Sequence, residues 1–220
     1  MARAAAFFDL DRTLMRENSG ALYALDEYRR GRLSLFQLLK SSFWLLLHHV
    51  QLLDVEVAYG KAALHWKGAR DSDVRALAVE WFQRDVAHRL TPGGKKALAQ
   101  HRSAGHPTVL LSNTSGYIAA AAAAAWQLDF WLANIIPIDE QGIITGLMSG
   151  PLCYGAGKVL KAEAWAREHD VSLEDSYFYS DSLSDLPMLE RVGHPVVINP
   201  DPRLAREARR RAWPVLDWSS

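Results

Sequence analysis

The chain has 220 residues, 49% of them hydrophobic, which is enough for one sizeable core with a smaller appendage. Its 25 basic residues balance 25 acidic ones, so it lacks the cationic excess of a protein built to hold nucleic acid. Cys153 is the single cysteine, which excludes an internal disulfide framework and suits a reducing, cytoplasmic setting, and the apolar part of "MARAAAFF" is too short for a secretory leader.

Residues 4–8, AAAFF, form a short continuous apolar run, the pattern of a parallel strand buried on both faces. The run ends in Asp9 and Asp11. Residues two apart share a side of an extended chain, so these like charges crowd one another and call for a neutralising partner. From 16 to about 87 the pattern is helical, with helices expected over 17–30, 33–53, 55–67 and 72–90. That is too much chain for a loop, and an inserted helical cap accounts for it. Trp44, Trp66 and Trp81 are expected to pack this cap. Segment 33–53 is apolar on most sides, but Gln37, Lys40, His48, His49 and Gln51 interrupt it. It reads as a helix buried in the cap, with contact to a lipid surface or a second subunit as the alternative.

The chain returns to the core near "LTPGG", 90–94. A helix over 93–103 precedes a strand at 108–111, and a helix over 116–128 follows it, built on seven consecutive alanines. Residues 135–152 read as a hairpin turning at Gln141-Gly142. A helix over 157–169, a strand at 177–180, a helix over 183–191 and a strand at 196–198 follow. The basic stretch 203–211 reads as a solvated terminal helix, with an anionic surface contact as the alternative, and "WPVLDW" as a final strand or tail. Strand and helix alternation gives an α/β, Rossmann-like doubly wound parallel-sheet core, 1–15 and 88–220, with an inserted all-helical cap, 16–87.

Ligands of such sheets sit beyond the carboxyl ends of the strands. The first strand is followed there by Asp9, Asp11 and Thr13, the second by Ser112, Asn113 and Thr114, and the third by Asp181 and Asp185. Lys158 follows the glycine-rich "YGAG" at a helix start. Taken singly, these are ordinary features: Asp and Ser cap helices, and lysines are usually solvated. Together they place carboxylates, hydroxyls and one lysine on one edge. Oxygen ligands without His or Cys favour a hard cation such as Mg²⁺, which takes one or two carboxylates plus substrate phosphate. Hydroxyls, backbone N–H groups and a lysine suit phosphate oxygens, and one aspartate can act as nucleophile while another moves a proton. The histidines show no metal-ligand spacing.

In order, "FFDLDRTL", "TVLLSNTS", Lys158 and "YFYSDSLSDLPML" resemble the four motifs of the haloacid dehalogenase superfamily, specifically its phosphoserine phosphatase-like subclass with a helical cap between the first two motifs. The resemblance implies a Mg²⁺-dependent phosphomonoesterase acting on a small phosphate ester, phosphoserine- or histidinol-phosphate-like. Asp9 would be the nucleophile and Asp11 the proton donor and acceptor. Asp9 and Asp181 would hold Mg²⁺ by side chain and Asp11 by its main-chain carbonyl. Ser112, Asn113 and Lys158 would hold the phosphoryl group, Thr13 would support the loop, and Asp185 would complete the acidic site. A lipid phosphate as substrate, an alcohol as acceptor, or a non-catalytic membrane-associated role are the alternatives. Phosphoserine phosphatases of this subclass place an amine-reading glutamate where this chain has Asn18, with Glu17 one place earlier. Arg12 is expected to alternate away from the chemistry.

Overall fold

Ala6–Phe8 forms β1, at the centre of a six-stranded, wholly parallel sheet of order β3-β2-β1-β4-β5-β6. The computed structural model describes residues 3–32, 34, 59, 60 and 63–218. Along them follow α1 (Ser19–Arg29), α2 (Asp71–Asp85), α3 (Pro92–Ser103), β2 (Thr108–Ser115), α4 (Gly116–Trp126) and β3 (Phe130–Asn134). Then come α5 (Ala156–Glu168), β4 (Tyr177–Ser180), α6 (Leu186–Arg191), β5 (His194–Ile198), α7 (Pro202–Arg210) and β6 (Val215–Leu216). Short 3-10 turns lie at Ala87–Arg89 and Leu183–Asp185, and residues 59, 60, 63 and 64 are also helical. The expected helix over 33–53 (apart from residue 34), residues 55–58, 61 and 62 of that over 55–67, Trp44 and the lipid-or-subunit alternative lie outside the described residues. No described helix is long and apolar enough to cross a membrane.

Why β1 is a continuous apolar run follows from the two layers it separates. Ala6 and Phe8 point into a cluster with Trp81 and Phe82 of α2, Leu98 of α3 and the alanine face of α4. Ala5 and Phe7 point the other way, toward Trp165 of α5, Met188 of α6 and Leu204 of α7. Both phenylalanines are fully buried, each contributing roughly 1.5–3 kcal/mol. The alanine run lets α4 lie close on the sheet, and Ser115 caps its start by accepting from the Ile118 N–H.

Several expectations are corrected. β3 escaped the sequence reading because "FWLAN" sits on a sheet edge and is only half buried, so it lacks an inner strand's signature. β2 runs on past Leu111 to Ser115, because Ser115 pairs with Asn134 of β3 beyond a bulge. "WPVLDW" contributes a strand, β6. The hairpin is reduced to two isolated antiparallel bridges, Ile135 with Ser149 and Ile138 with Ile144. Its turn is held by Asp139, whose carboxylate accepts from the N–H groups of Gln141 (3.0 Å) and Ile143 (2.8 Å), with Gly142 at φ 76°. The terminal basic helix α7 is not wholly solvated: Leu204 and Ala208 are fully buried, and Arg211 pairs with Glu190.

The inserted stretch is anchored to the sheet layers. Val74 and Ala78 of α2 pack with Tyr117, whose hydroxyl donates to Asp71 at 2.9 Å. Trp81 belongs to the main core with Trp126, rather than only to the cap, whereas Trp66 lies edge-on to Tyr23 and Tyr117. Where the chain re-enters the core, the Thr91 N–H donates to the Leu14 carbonyl at 2.8 Å.

Candidate active site

Strand register assembles the site. Phe8 pairs with Leu110 on one side and Tyr179 on the other. Asp9, Ser112 and Asp181 therefore all emerge within two residues of one level, at the carboxyl edge of three adjacent strands, and all three are buried.

Lys158, in the first turn of α5, reaches this edge from beneath. Its side chain is 3% exposed, and Nζ donates to Asp9 Oδ1 and Asp185 Oδ2, each at 2.7 Å. These are charge-assisted bonds in a dry setting, the strong class. Gly157 makes the approach feasible: a Cβ there would stand 1.8 Å from the Leu152 carbonyl oxygen. Asp185 also accepts from the Ser180 hydroxyl at 2.6 Å. Ser180 went unnoticed in the sequence, although it directly precedes Asp181.

Burial pushes the Asp9 carboxyl up to about 7, against the pull of Lys158 and with added repulsion from Asp185 and Asp11. Asp181 is pushed well above the ordinary range by burial, then by Asp9 and Asp185. The Thr13 hydroxyl, fully buried, points at Asp181 Oδ1 from 3.5 Å. Burial and opposing H-bonds set the Lys158 balance differently: desolvation is outweighed by Asp185 and Asp9, which hold the ammonium protonated.

Asp11 faces the inserted stretch. Its Oδ1 accepts from the Ser19 N–H at 2.7 Å and its Oδ2 from the Asn18 side-chain amide at 3.0 Å. Asn18 is also the N-cap of α1, accepting from the Ala21 N–H at 2.9 Å. The start of α1 thus embraces the carboxylate, an arrangement favoured by the helix dipole. Burial raises the Asp11 carboxyl while the Ser19 bonds oppose it. Glu17 is turned elsewhere, into an ion pair with Arg89 at the re-entry point. The position that reads an amine in phosphoserine phosphatases is here occupied by a residue bonded to Asp11.

Arg12 does not alternate away as an extended chain would require. β1 ends at Phe8, and Arg12 adopts a left-handed backbone, φ 59°. The positive charge of its guanidinium offsets a small part of the upward push that burial exerts on Asp181 and Asp11.

Ser112 is buried on β2, and Asn113 follows it half-buried. The Asn113 side chain is engaged with the end of β3, its Oδ1 accepting from Asn134 Nδ2 at 2.9 Å, and Asn134 Oδ1 accepts from the Cys153 N–H at 2.7 Å. The Asn113 main-chain carbonyl accepts from the hydroxyl of Tyr59. Neither Asn134 nor Tyr59 carried a sequence signal: one ends an unforeseen strand, the other lies in the helical insertion without a motif around it.

The edge thus holds two crowded buried carboxylates, Asp9 and Asp181, in an all-oxygen donor set. That set fits a hard divalent cation, which would relieve the repulsion that pushes both groups up. Among the described residues no three His, Cys, Asp or Glu side chains form a complete metal cage, so such an ion would complete its shell with main-chain oxygen, water and substrate.

Three comparisons with known proteins bear on the family and fold of the chain. Residues 6–190 match the family model of haloacid dehalogenase-like hydrolases. A probable phosphatase of Mycobacterium tuberculosis is 34% identical over 99% of this chain and 76% of its own, and the phosphoserine phosphatase SerB1 of the same organism is 32% identical over 98% and 71%. A Bordetella pertussis protein of unknown function superposes with a TM-score of 0.89 at 29% identity, covering 99% of this chain and 100% of its own.

Proposed function

The chain belongs to the haloacid dehalogenase-like hydrolases and is a phosphatase of that family, and we propose that it is a Mg²⁺-dependent phosphomonoesterase working through an aspartyl-phosphate on Asp9. The observation that carries the reading is the buried Asp9–Lys158–Asp185 triad beside an Asp11 held by the start of α1. A small phosphate ester, phosphoserine- or histidinol-phosphate-like, is the proposed substrate, in keeping with the named activity of the mycobacterial relative.

Lys158 occupies Asp9 Oδ1, which leaves attack on phosphorus to Oδ2. The bond from phosphorus to the leaving oxygen breaks, and Asp11 gives that oxygen its proton. Asp11 then takes a proton from water as the water attacks the aspartyl-phosphate, which frees inorganic phosphate and restores Asp9. The bonds from Ser19 and Asn18 favour the ionised form of Asp11 and burial favours the protonated form, so the two states this cycle needs are brought closer in energy. Lys158, Ser112 and backbone N–H groups at the edge hold the transferring group, where fixed charge supplies most of the acceleration. Mg²⁺ held by Asp9, Asp181 and the Asp11 carbonyl would supply positive charge to the phosphoryl oxygens and keep both carboxylates ionised.

Asp9→Asn is nearly isosteric and keeps an oxygen for Lys158. It is expected to abolish Mg²⁺-dependent hydrolysis of O-phosphoserine while leaving the melting temperature close to wild type. Retained turnover in a folded Asp9→Asn protein contradicts the assignment.

A further inference from the structure

The ladder joining β2 to β3 is interrupted where the site begins. Leu111 pairs with Leu132 and Ser115 with Asn134, so residues 112–114 face Ala133 alone. On the other side, the register with β1 ends at Leu110. Ser112 and Asn113 thus stand in a bulge, where regular pairing no longer fixes the backbone. The side chain of Asn134 spans this break. It is 1% exposed and uses both ends of its amide: Oδ1 accepts from the Cys153 N–H at 2.7 Å, and Nδ2 donates to Asn113 Oδ1 at 2.9 Å. A main-chain N–H can only donate, which settles which end of the amide faces which partner.

The second partner leads to Lys158. Around Cys153 the chain runs through consecutive tight turns: the Tyr154 N–H donates to the Leu152 carbonyl at 2.8 Å, the Gly157 N–H to the Tyr154 carbonyl at 2.9 Å, and the Lys158 N–H to the Gly155 carbonyl at 3.2 Å. No side chain caps the start of α5, so the seat of these turns depends on what holds Cys153. Two groups of β3 do so, the Asn134 amide and, more weakly, the Leu132 carbonyl facing the thiol at 3.5 Å. Resting on the phosphatase reading, we propose that Asn134 is a positioning residue for phosphoryl transfer. Its amide ties the bulge that carries Ser112 to the turn that carries Lys158, so that hydroxyl and ammonium meet the phosphoryl group together. It acts through Asn113 and Cys153 rather than by touching the substrate. An apolar side chain at this position cuts both arms, and a misplacement of ~1 Å in a holding group costs on the order of 100-fold in rate.

The test follows hydrolysis of p-nitrophenyl phosphate with Mg²⁺, an ester whose leaving group needs little protonation, so the rate reports how the phosphoryl group is held. Asn134→Ala is expected to lose ~10–100-fold in kcat/KM, most of it in kcat. Ser176→Ala is the control: the Ser176 hydroxyl is buried at the opposite edge of the sheet, accepting from the Ala5 N–H at 2.9 Å and donating to the Ser172 carbonyl at 2.6 Å. Whatever it loses in melting temperature, its kcat should stay within about 2-fold of wild type. Asn113→Ala cuts one arm, and the double variant Asn113→Ala/Asn134→Ala should be slower than Asn134→Ala by no more than about 2-fold, because the two residues act as a unit. A folded Asn134→Ala with wild-type kcat overturns the inference, as does an equal fall in Ser176→Ala or losses that multiply in the double variant. Should Asn134→Ala not fold, Asn113→Ala decides: a fall of ~5-fold or more in kcat at constant KM supports the tie, and an unchanged kcat or a loss carried by KM overturns it. All these outcomes leave the phosphatase reading standing. A wild type inactive on both p-nitrophenyl phosphate and O-phosphoserine overturns that reading and this inference with it.

Discussion

Replacing Lys158 by Met removes the ammonium but keeps the length of the apolar stem. The wild-type Nζ bonds Asp9 and Asp185 at 2.7 Å each in a side chain 3% exposed. Deleting one partner of such a buried pair costs ~3–5 kcal/mol, because the remaining charge is left without compensation. Here two carboxylates are stranded face to face, with the Ser180 hydroxyl on Asp185 as partial relief. They can recover much of the loss by retaining a proton, as Asp9 already does up to about 7 in the presence of Lys158. In the variant the native state holds a proton that the unfolded chain, with carboxylates near 3.8, has released. Stability of the variant therefore rises as pH falls. The expected loss relative to wild type is ~3–5 kcal/mol near pH 8, shrinking to ~1–2 kcal/mol near pH 5. Urea denaturation followed by tryptophan fluorescence at both pH values measures it. A loss under ~1 kcal/mol at the higher pH, or one independent of pH, would refute the buried-triad argument.

Other expectations use the same reasoning. In chelator, wild-type stability should fall as pH rises through about 7, because folded Asp9 and Asp181 keep protons that the unfolded chain gives up; Mg²⁺ at ~100 times its Kd should restore ~2.7 kcal/mol above neutrality and less near pH 5. His101 is bonded to the Tyr179 hydroxyl at 2.8 Å and to His106 at 3.0 Å, and burial pushes it down to about 4. It stays neutral in the fold, so its contribution is lost as pH falls from about 6.5 to 4, by ~1–2 kcal/mol after screening on the His106 side; the wild-type minus His101→Leu difference should show that slope, and a flat difference would contradict it. Gly157→Ala forces a Cβ against the Leu152 carbonyl and should cost ~1–3 kcal/mol by chemical denaturation, with a fall in kcat as Lys158 is displaced; a variant with wild-type stability and rate would show that the backbone yields freely.

Part of the candidate edge was legible because Asp9, Ser112 and Asp181 each come at or just past the end of an apolar run, and parallel register converts that order into proximity. Asp9, Ser112 and Asp181 needed only the strands to pair, which continuous runs such as AAAFF and TVLL announce. What stayed hidden depends on contacts across distant chain. "FWLAN" is an edge strand whose half-exposed residues look like a loop. Arg12 escaped because alternation holds only while the chain is extended, and its positive φ ends that. The role of Asn18 could not be read from a motif: it follows from α1 beginning beside Asp11. Tyr59 reaches Asn113 across 54 positions of sequence, and no local pattern encodes such a meeting.

The central claim is that Asp9 carries the phosphoryl group. Acid-quenching the enzyme during turnover of O-phosphoserine with Mg²⁺, followed by peptide mass spectrometry, tests it most directly. The account predicts one added phosphoryl group on the peptide containing "FFDLDRTL", located at Asp9 and absent from Asp9→Asn. An adduct on any other residue, or phosphate release with no adduct on Asp9, would contradict it.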